Sequence, residues 1–251
     1  MPGMWHADEH MQRLHRIELV NYLRGVGMKT MNETLQQPTH AATLASVLQT
    51  IADNAKDERT KAHLDVRLHK LAESTSTWRQ NNPLFTDMWV CYTERDDQHS
   101  QCSRNSPLWD DAAAQLFDGT ESCFGISCKP RTGVPRCNST PWSEYVSVVV
   151  VAKTADGEWM YVASVGLTPL HERKTIHITT LCCRSSMRNM HVATCLLEIM
   201  FNTRYTLTLD VLVASGVDDV ESFYTNLGFV LSPLHGRDTK ALSWTPPALT
   251  E

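Results

Sequence analysis

No apolar run in this 251-residue chain is long enough to cross a bilayer; the longest, 145–152, is of strand length. The first ten residues lack an apolar stretch of the kind a secretory leader needs, so an intracellular protein is expected. The sequons at Asn32 and Asn138 then carry no weight for glycosylation. Glycine and proline are scarce, at 11 each, while 42% of residues are apolar and 20% charged. That balance excludes collagen-like and wholly disordered chains. Neither a Walker G-K-[ST] nor a G-x-G-x-x-G fingerprint occurs. No basic, aromatic-interleaved stripe is present, so direct nucleic-acid binding is not expected. A C-x2-C knuckle is also missing from the eight cysteines. Cys123, Cys128 and Cys137, or Cys91 with His99 and Cys102, are irregularly spaced for zinc, and free thiols without a metal are expected.

What is present divides in two. Residues 1–80 sum to a charge of +1 and the rest to −6, out of −5 in all. An acidic second part suits a cationic partner, an amine or a basic peptide. The first 80 residues read as helical. A segment over 9–23 ends at Arg24-Gly25, a sequence suited to a C-cap. Leu44, Val47, Leu48, Ile51 and Ala52 recur at helical spacing after a cap at Thr39 or His40, and Leu64, Leu68, Leu71 and Ala72 form another stripe. These helices are expected to form a small bundle, to pack on the second part, or to dock a protein partner.

From residue 84 to about 246 the pattern becomes mixed. Strands are expected at 88–92, at 144–153 and 159–167 as a hairpin about Ala155-Asp156-Gly157, and at 175–183. A helix is expected over 106–117 and a long irregular loop over 119–143. After the fourth strand, Val192, Cys195, Leu196, Ile199 and Met200 form a helical stripe. A strand at 207–213, a helix at 218–226 and a strand at 229–231 follow. The fold class is therefore α/β (α+β), a mixed, mostly antiparallel sheet flanked by helices and preceded by an all-helical region.

The junction at 176–200 is where chemistry is expected. A strand that runs through Arg188-Asn189-Met190-His191-Val192-Ala193 into a helix offers backbone N–H groups and a dipole to an anion. With the order of elements, Arg188-x-x-His191-x-Ala193 resembles the [RQ]-x-x-G-x-[GA] acetyl-CoA motif of the Gcn5-related N-acetyltransferase (GNAT) superfamily. Phe223-Tyr224-Thr225-Asn226-Leu227-Gly228-Phe229 is similar to the F-Y-x-x-L-G-F segment of that family. His191 stands where the family usually has Gly.

The resemblance implies an acetyl-CoA-dependent N-acetyltransferase in which a primary amine attacks the thioester directly. It implies a cofactor site at Leu181, Cys182, Cys183, Arg188, Met190, His191, Val192, Ala193 and Thr194. The backbone N–H groups near 181–183 would polarise the acetyl carbonyl. Tyr224 corresponds to the thiolate-protonating Tyr. His177, six residues before Cys183, falls where the histone-acetylating branch places its base, and an imidazole suits amine deprotonation near neutral pH. His171, Glu172 and Glu144 are alternatives. A protein lysine acceptor, as in divergent histone-acetylating relatives such as the kinetoplastid kinetochore acetyltransferase, is the leading expectation. A small-molecule amine, or a GNAT-fold scaffold without catalysis, stays open beside it.

Overall fold

The stretch Val146-Ser147-Val148-Val149-Val150-Val151 has almost no polar alternation, which predicts a strand covered on both faces. That is what the chain builds. In the computed structural model, the described residues are 16–81, 85–94, 146–154, 157, 159–170, 175–184, 187–202, 208–214, 218–231 and 239–244. The expected helix at 106–117 and loop at 119–143 lie outside them.

The described elements, in chain order, are α1 (16–25), β1 (Lys29–Thr30), α2 (Met31–Gln36), a 3-10 turn (Pro38–His40), α3 (Leu44–Asp53), α4 (Glu58–Asn81), β2 (Phe85–Glu94), β3 (Val146–Thr154), β4 (Trp159–Leu170), β5 (Thr175–Cys183), α5 (Val192–Phe201), β6 (Thr208–Ala214), α6 (Asp218–Thr225), β7 (Val230–Leu231) and β8 (Thr239–Trp244). The eight strands form one sheet in the order β1-β2-β3-β4-β5-β6-β8-β7. Only β1·β2 and β5·β6 are parallel. The hairpin β3–β4 closes with Lys153 opposite Trp159. The sequence pattern did not bring out β1, α2 or β8.

One apolar core runs through both parts of the chain. Leu19 and Leu23 of α1, Leu44, Leu48 and Val47 of α3, and Leu64 and Leu71 of α4 join Val148, Val150, Val165, Ile176, Ile178 and Leu181 of the sheet in a single cluster. The helical region is thus not a free-standing bundle; its apolar faces are used against the sheet and α5. The other sheet face holds a smaller cluster of Met31, Trp89, Cys91, Val149 and Val151, which α2 covers. Thr30 caps α2 through a capping box with Glu33. Thr43, rather than Thr39 or His40, caps α3, accepting from the Ser46 N–H at 3.1 Å. Pro38 and His40 instead make the 3-10 turn that precedes it.

The helix α5 departs from a one-sided stripe. Besides the expected positions, Thr194, Leu197 and Glu198 are buried. A helix enclosed all round needs a second layer, and α3 and α4 supply it over the sheet. Among the described residues no helix is long and apolar enough to cross a membrane.

Candidate functional site

Two register features shape the region around β5. First, the β4–β5 partners step from Gly166 opposite Thr180 to Leu167 opposite Ile178, leaving Thr179 as an extra residue on β5. Such a bulge reverses the alternation of faces. It lets Ile176, Ile178 and Leu181 all enter the main core although their spacing changes from even to odd. Second, the parallel ladder between β5 and β6 covers Thr175–Ile178 opposite Thr208–Val211 and ends there. Both strands continue, β5 to Cys183 against β4 and β6 to Ala214 against β8. The two strands therefore part into a fork. Alternate backbone N–H and C=O groups of 179–183 turn towards that fork, by strand geometry.

Beyond the fork the chain folds into a short loop and then α5. The Arg184 N–H donates to the Val162 carbonyl at 2.9 Å, and Met187 N–H donates back to the Arg184 carbonyl at 2.9 Å. Asn189 (φ 66) and His191 (φ 61) both occupy the left-handed region. That region favours glycine, and a histidine there costs on the order of 1 kcal/mol or more. Thus His191 adopts the backbone conformation for which glycine is the easy choice. It is the N-cap of α5, and its side chain makes no capping hydrogen bond. The first helical acceptor, the His191 carbonyl, receives Cys195 N–H at 2.9 Å. The N–H groups of Val192, Ala193 and Thr194 precede that bond and have no intrahelical acceptor.

The electrostatics of this loop are positive. Burial lowers the His191 pKa below its usual value, and the charges of Lys70 and then Arg67 lower it further. Both effects favour the neutral imidazole. Arg188 is exposed on the loop. Among the described residues, Arg184 keeps Nη1 buried without a hydrogen-bond partner. The N–H groups left without intrahelical acceptors at the start of α5 suit a phosphorylated ligand.

The remaining expected site residues fall as follows. Leu181, Met190, Val192 and Thr194 are buried, and Ala193 is half-buried. Cys183 is half-buried, and its thiol donates to the Met187 carbonyl at 3.5 Å, which ties strand end to loop. Cys182 sits in β5 opposite Ser164. His177 is partly exposed, in register with Thr168 on β4 and Asp210 on β6, one residue before the fork. It points to the sheet face opposite Ile176 and Ile178. Tyr224, in the last turn of α6 after β6, is 1% exposed, with its ring edge-on to Phe223 and Phe229 at 5.2 and 5.1 Å. Gly228 (φ 91) turns the chain from α6 to Phe229, whose N–H donates to the Tyr224 carbonyl at 3.1 Å.

His171, Glu172 and Glu144 lie outside the described residues, as do His99, Cys102, Cys123, Cys128 and Cys137. Among the described residues no group of three or more His, Cys, Asp or Glu side chains could hold a metal ion. Cys91 and Cys195 are buried, and burial pushes both thiols up to about 12, leaving them protonated and inert.

No protein-family model matches the chain, and neither does a curated protein. Solved structures similar to it include a domain from Methanocaldococcus jannaschii, 13% identical, covering 63% of this chain and 99% of that one at a TM-score of 0.42. Another is Arabidopsis thaliana Naa50 in complex with the bisubstrate analogue CoA-Ac-MVNAL, 13% identical over 62% of this chain and 98% of that one, TM-score 0.36. A third is the spermidine/spermine N-acetyltransferase SpeG from Vibrio cholerae, 16% identical over 41% and 64%, TM-score 0.32.

Proposed function

We propose that the chain is a GNAT-type, acetyl-CoA-dependent N-acetyltransferase that transfers acetyl to a primary amine. The observation that carries this reading is the fork. Two parallel strands lose their pairing at Ile178 and Val211, and the longer one leads directly into the N-terminus of α5. Ligands of open α/β sheets bind in such a crevice beyond the carboxyl ends of parallel strands.

Bound there, acetyl-CoA would supply an acyl carbon activated for attack by an amine. The chain's own groups supply the rest. The loop from Arg188 to Thr194 holds the phosphates with backbone N–H groups and positive charge. The fork-facing N–H groups of Leu181–Cys183 stabilise the oxyanion as the amine adds to the carbonyl. His177, beside the fork, takes the proton that the amine loses. Tyr224 protonates the sulfur as the carbon–sulfur bond breaks. The acidic balance after residue 80 favours a basic acceptor, a lysine on a protein such as a histone.

A second reading has one observation in its favour. Tyr224 is enclosed between two aromatic neighbours, as a purely structural residue would be in a non-catalytic GNAT-fold scaffold. Tyr224→Phe separates the two. The catalytic reading expects turnover to fall about a hundredfold with cosubstrate affinity and melting temperature nearly unchanged. Unchanged turnover would remove Tyr224 from the mechanism. Calorimetric titration of the whole chain with acetyl-CoA, with free CoA alongside, tests the reading itself: saturable binding is expected, and none at millimolar cosubstrate would leave the scaffold.

A further inference from the structure

The parallel ladder between β5 and β6 sets Thr175, Ile176, His177 and Ile178 opposite Thr208, Leu209, Asp210 and Val211. Each strand brings one ionisable residue to it, His177 on β5 and Asp210 on β6, and the register makes these two partners. Partners in a parallel ladder share a face of the sheet, with neighbouring strands about 4.8 Å apart. Ile176 and Ile178 enter the main core, so His177 and Asp210 stand on the opposite face. Helix α2 covers that face over β1 and β2. His177, three strands on from β2, is partly exposed.

We propose that Asp210 is the positioning residue of His177: its negative charge holds the imidazole in the tautomer that takes a proton from the amine, and stabilises the imidazolium that results. This rests on the acetyltransferase reading above, in which His177 is the base, and adds to it a residue that no sequence motif of the site contains.

Three observations support the assignment. Asp210 is the one charged residue of β6, whose sequence is otherwise Thr-Leu before it and Val-Leu-Val-Ala after it. Aspartate is depleted in strands and favours turns and caps, so its place in mid-strand calls for a partner there. Next, the other positions around His177 on that face are Thr168 and Leu170 on β4, Thr175 on β5, and Thr208 and Leu212 on β6. None of them is charged, and among the described residues Asp210 is the charge that the register sets beside the imidazole. Finally, the pair stands one residue before the fork opens, where the acetyltransferase reading brings amine and thioester together. An adjacent carboxylate favours the protonated imidazole and fixes which ring nitrogen carries the hydrogen. The proton passes from the amine nitrogen to the imidazole, and the carboxylate stays ionised throughout.

The test is the pH profile of kcat for full-length wild type, Asp210→Asn and Asp210→Glu, with acetyl-CoA and either polylysine or spermidine as the acceptor. Asp210→Asn is expected to lower kcat about tenfold or more. It also moves the acid limb of the profile to lower pH, because the charge that favoured the imidazolium is gone. Asp210→Glu keeps the charge and is expected to leave the acid limb where wild type has it. A profile of Asp210→Asn that matches wild type overturns the proposal and leaves the acetyltransferase reading in place. Equal loss in both variants, with unmoved limbs, assigns position 210 to packing and overturns it too. Wild type that consumes acetyl-CoA with neither acceptor overturns the acetyltransferase reading, and the role of base with it. A readout without substrates is the NMR titration of His177, identified by its loss in His177→Gln. Asp210→Asn moves that titration to lower pH if the two residues act as a pair, and an unmoved titration overturns the pairing whatever the activity.

Discussion

Ala193→Asp is expected to abolish acetyl-CoA binding while the protein folds as stably as before, or slightly more so. Position 193 is the second residue of α5, half-buried beside the helix N-terminus. An acidic side chain in a first helical turn interacts favourably with the helix dipole and is worth about 0.3–1 kcal/mol to the helix. The same carboxylate competes for the N–H groups a phosphate needs and repels it. One unit charge at about 4 Å contributes ~4 kcal/mol at an effective dielectric near 20, so a loss of at least about a hundredfold in affinity is expected. Calorimetric titration beside a thermal melt checks both halves. Retained affinity would move the anion site away from α5, and a large drop in melting temperature would show that the loop tolerates no side chain there.

The second large effect is on stability. Glu198 accepts from Arg67 Nε at 2.9 Å, and Glu198→Ala is expected to cost roughly 3 kcal/mol, because it strands that guanidinium in a largely buried position. Little of this belongs to His63, whose Nε2 lies 2.8 Å from the same oxygen but whose side chain is 51% exposed. Glu198→Gln keeps an acceptor for the Arg67 N–H and is expected to cost about 1 kcal/mol. Chemical denaturation of the two variants gives the comparison. Equal midpoints for the alanine variant and wild type would mean that α4 is held by apolar packing alone.

How much of this was legible beforehand follows the range of the interactions. The bounds Thr175–Cys183 of β5 and the apolar spacing from Val192 to Met200 are written in local periodicity, and so is the turn between β3 and β4. The strand β8, with Lys240 and Thr239 among six residues, has little pattern of its own and exists through its pairing with β6. β1, only two residues long, is likewise defined by its partner β2. The fork is invisible in sequence for the same reason: it is a difference between two ladders, not a property of either strand. In the site, the loop from Arg188 to Ala193 stood out because strand and helix signals meet there. The left-handed conformation of His191 was signalled only by its standing at a glycine position of the motif, because no local periodicity encodes a positive φ at a side-chain-bearing residue. Glu198 and Arg67, 131 residues apart, meet only because α4 crosses back over α5.

The seam between α3 and β2 has a consequence for how the molecule opens. The Val90 N–H donates to the Ala42 carbonyl at 3.0 Å, and Thr43 bridges Trp89, so the entry to α3 is bonded to a strand that is itself paired with β3. Since α1, α3 and α4 bury their leucines in the same cluster as that sheet, amide protons in the helices and in β2 and β3 are expected to exchange with solvent through one cooperative opening, which hydrogen-exchange NMR checks. The face that grips α5 is then expected to be as long-lived as the centre of the sheet.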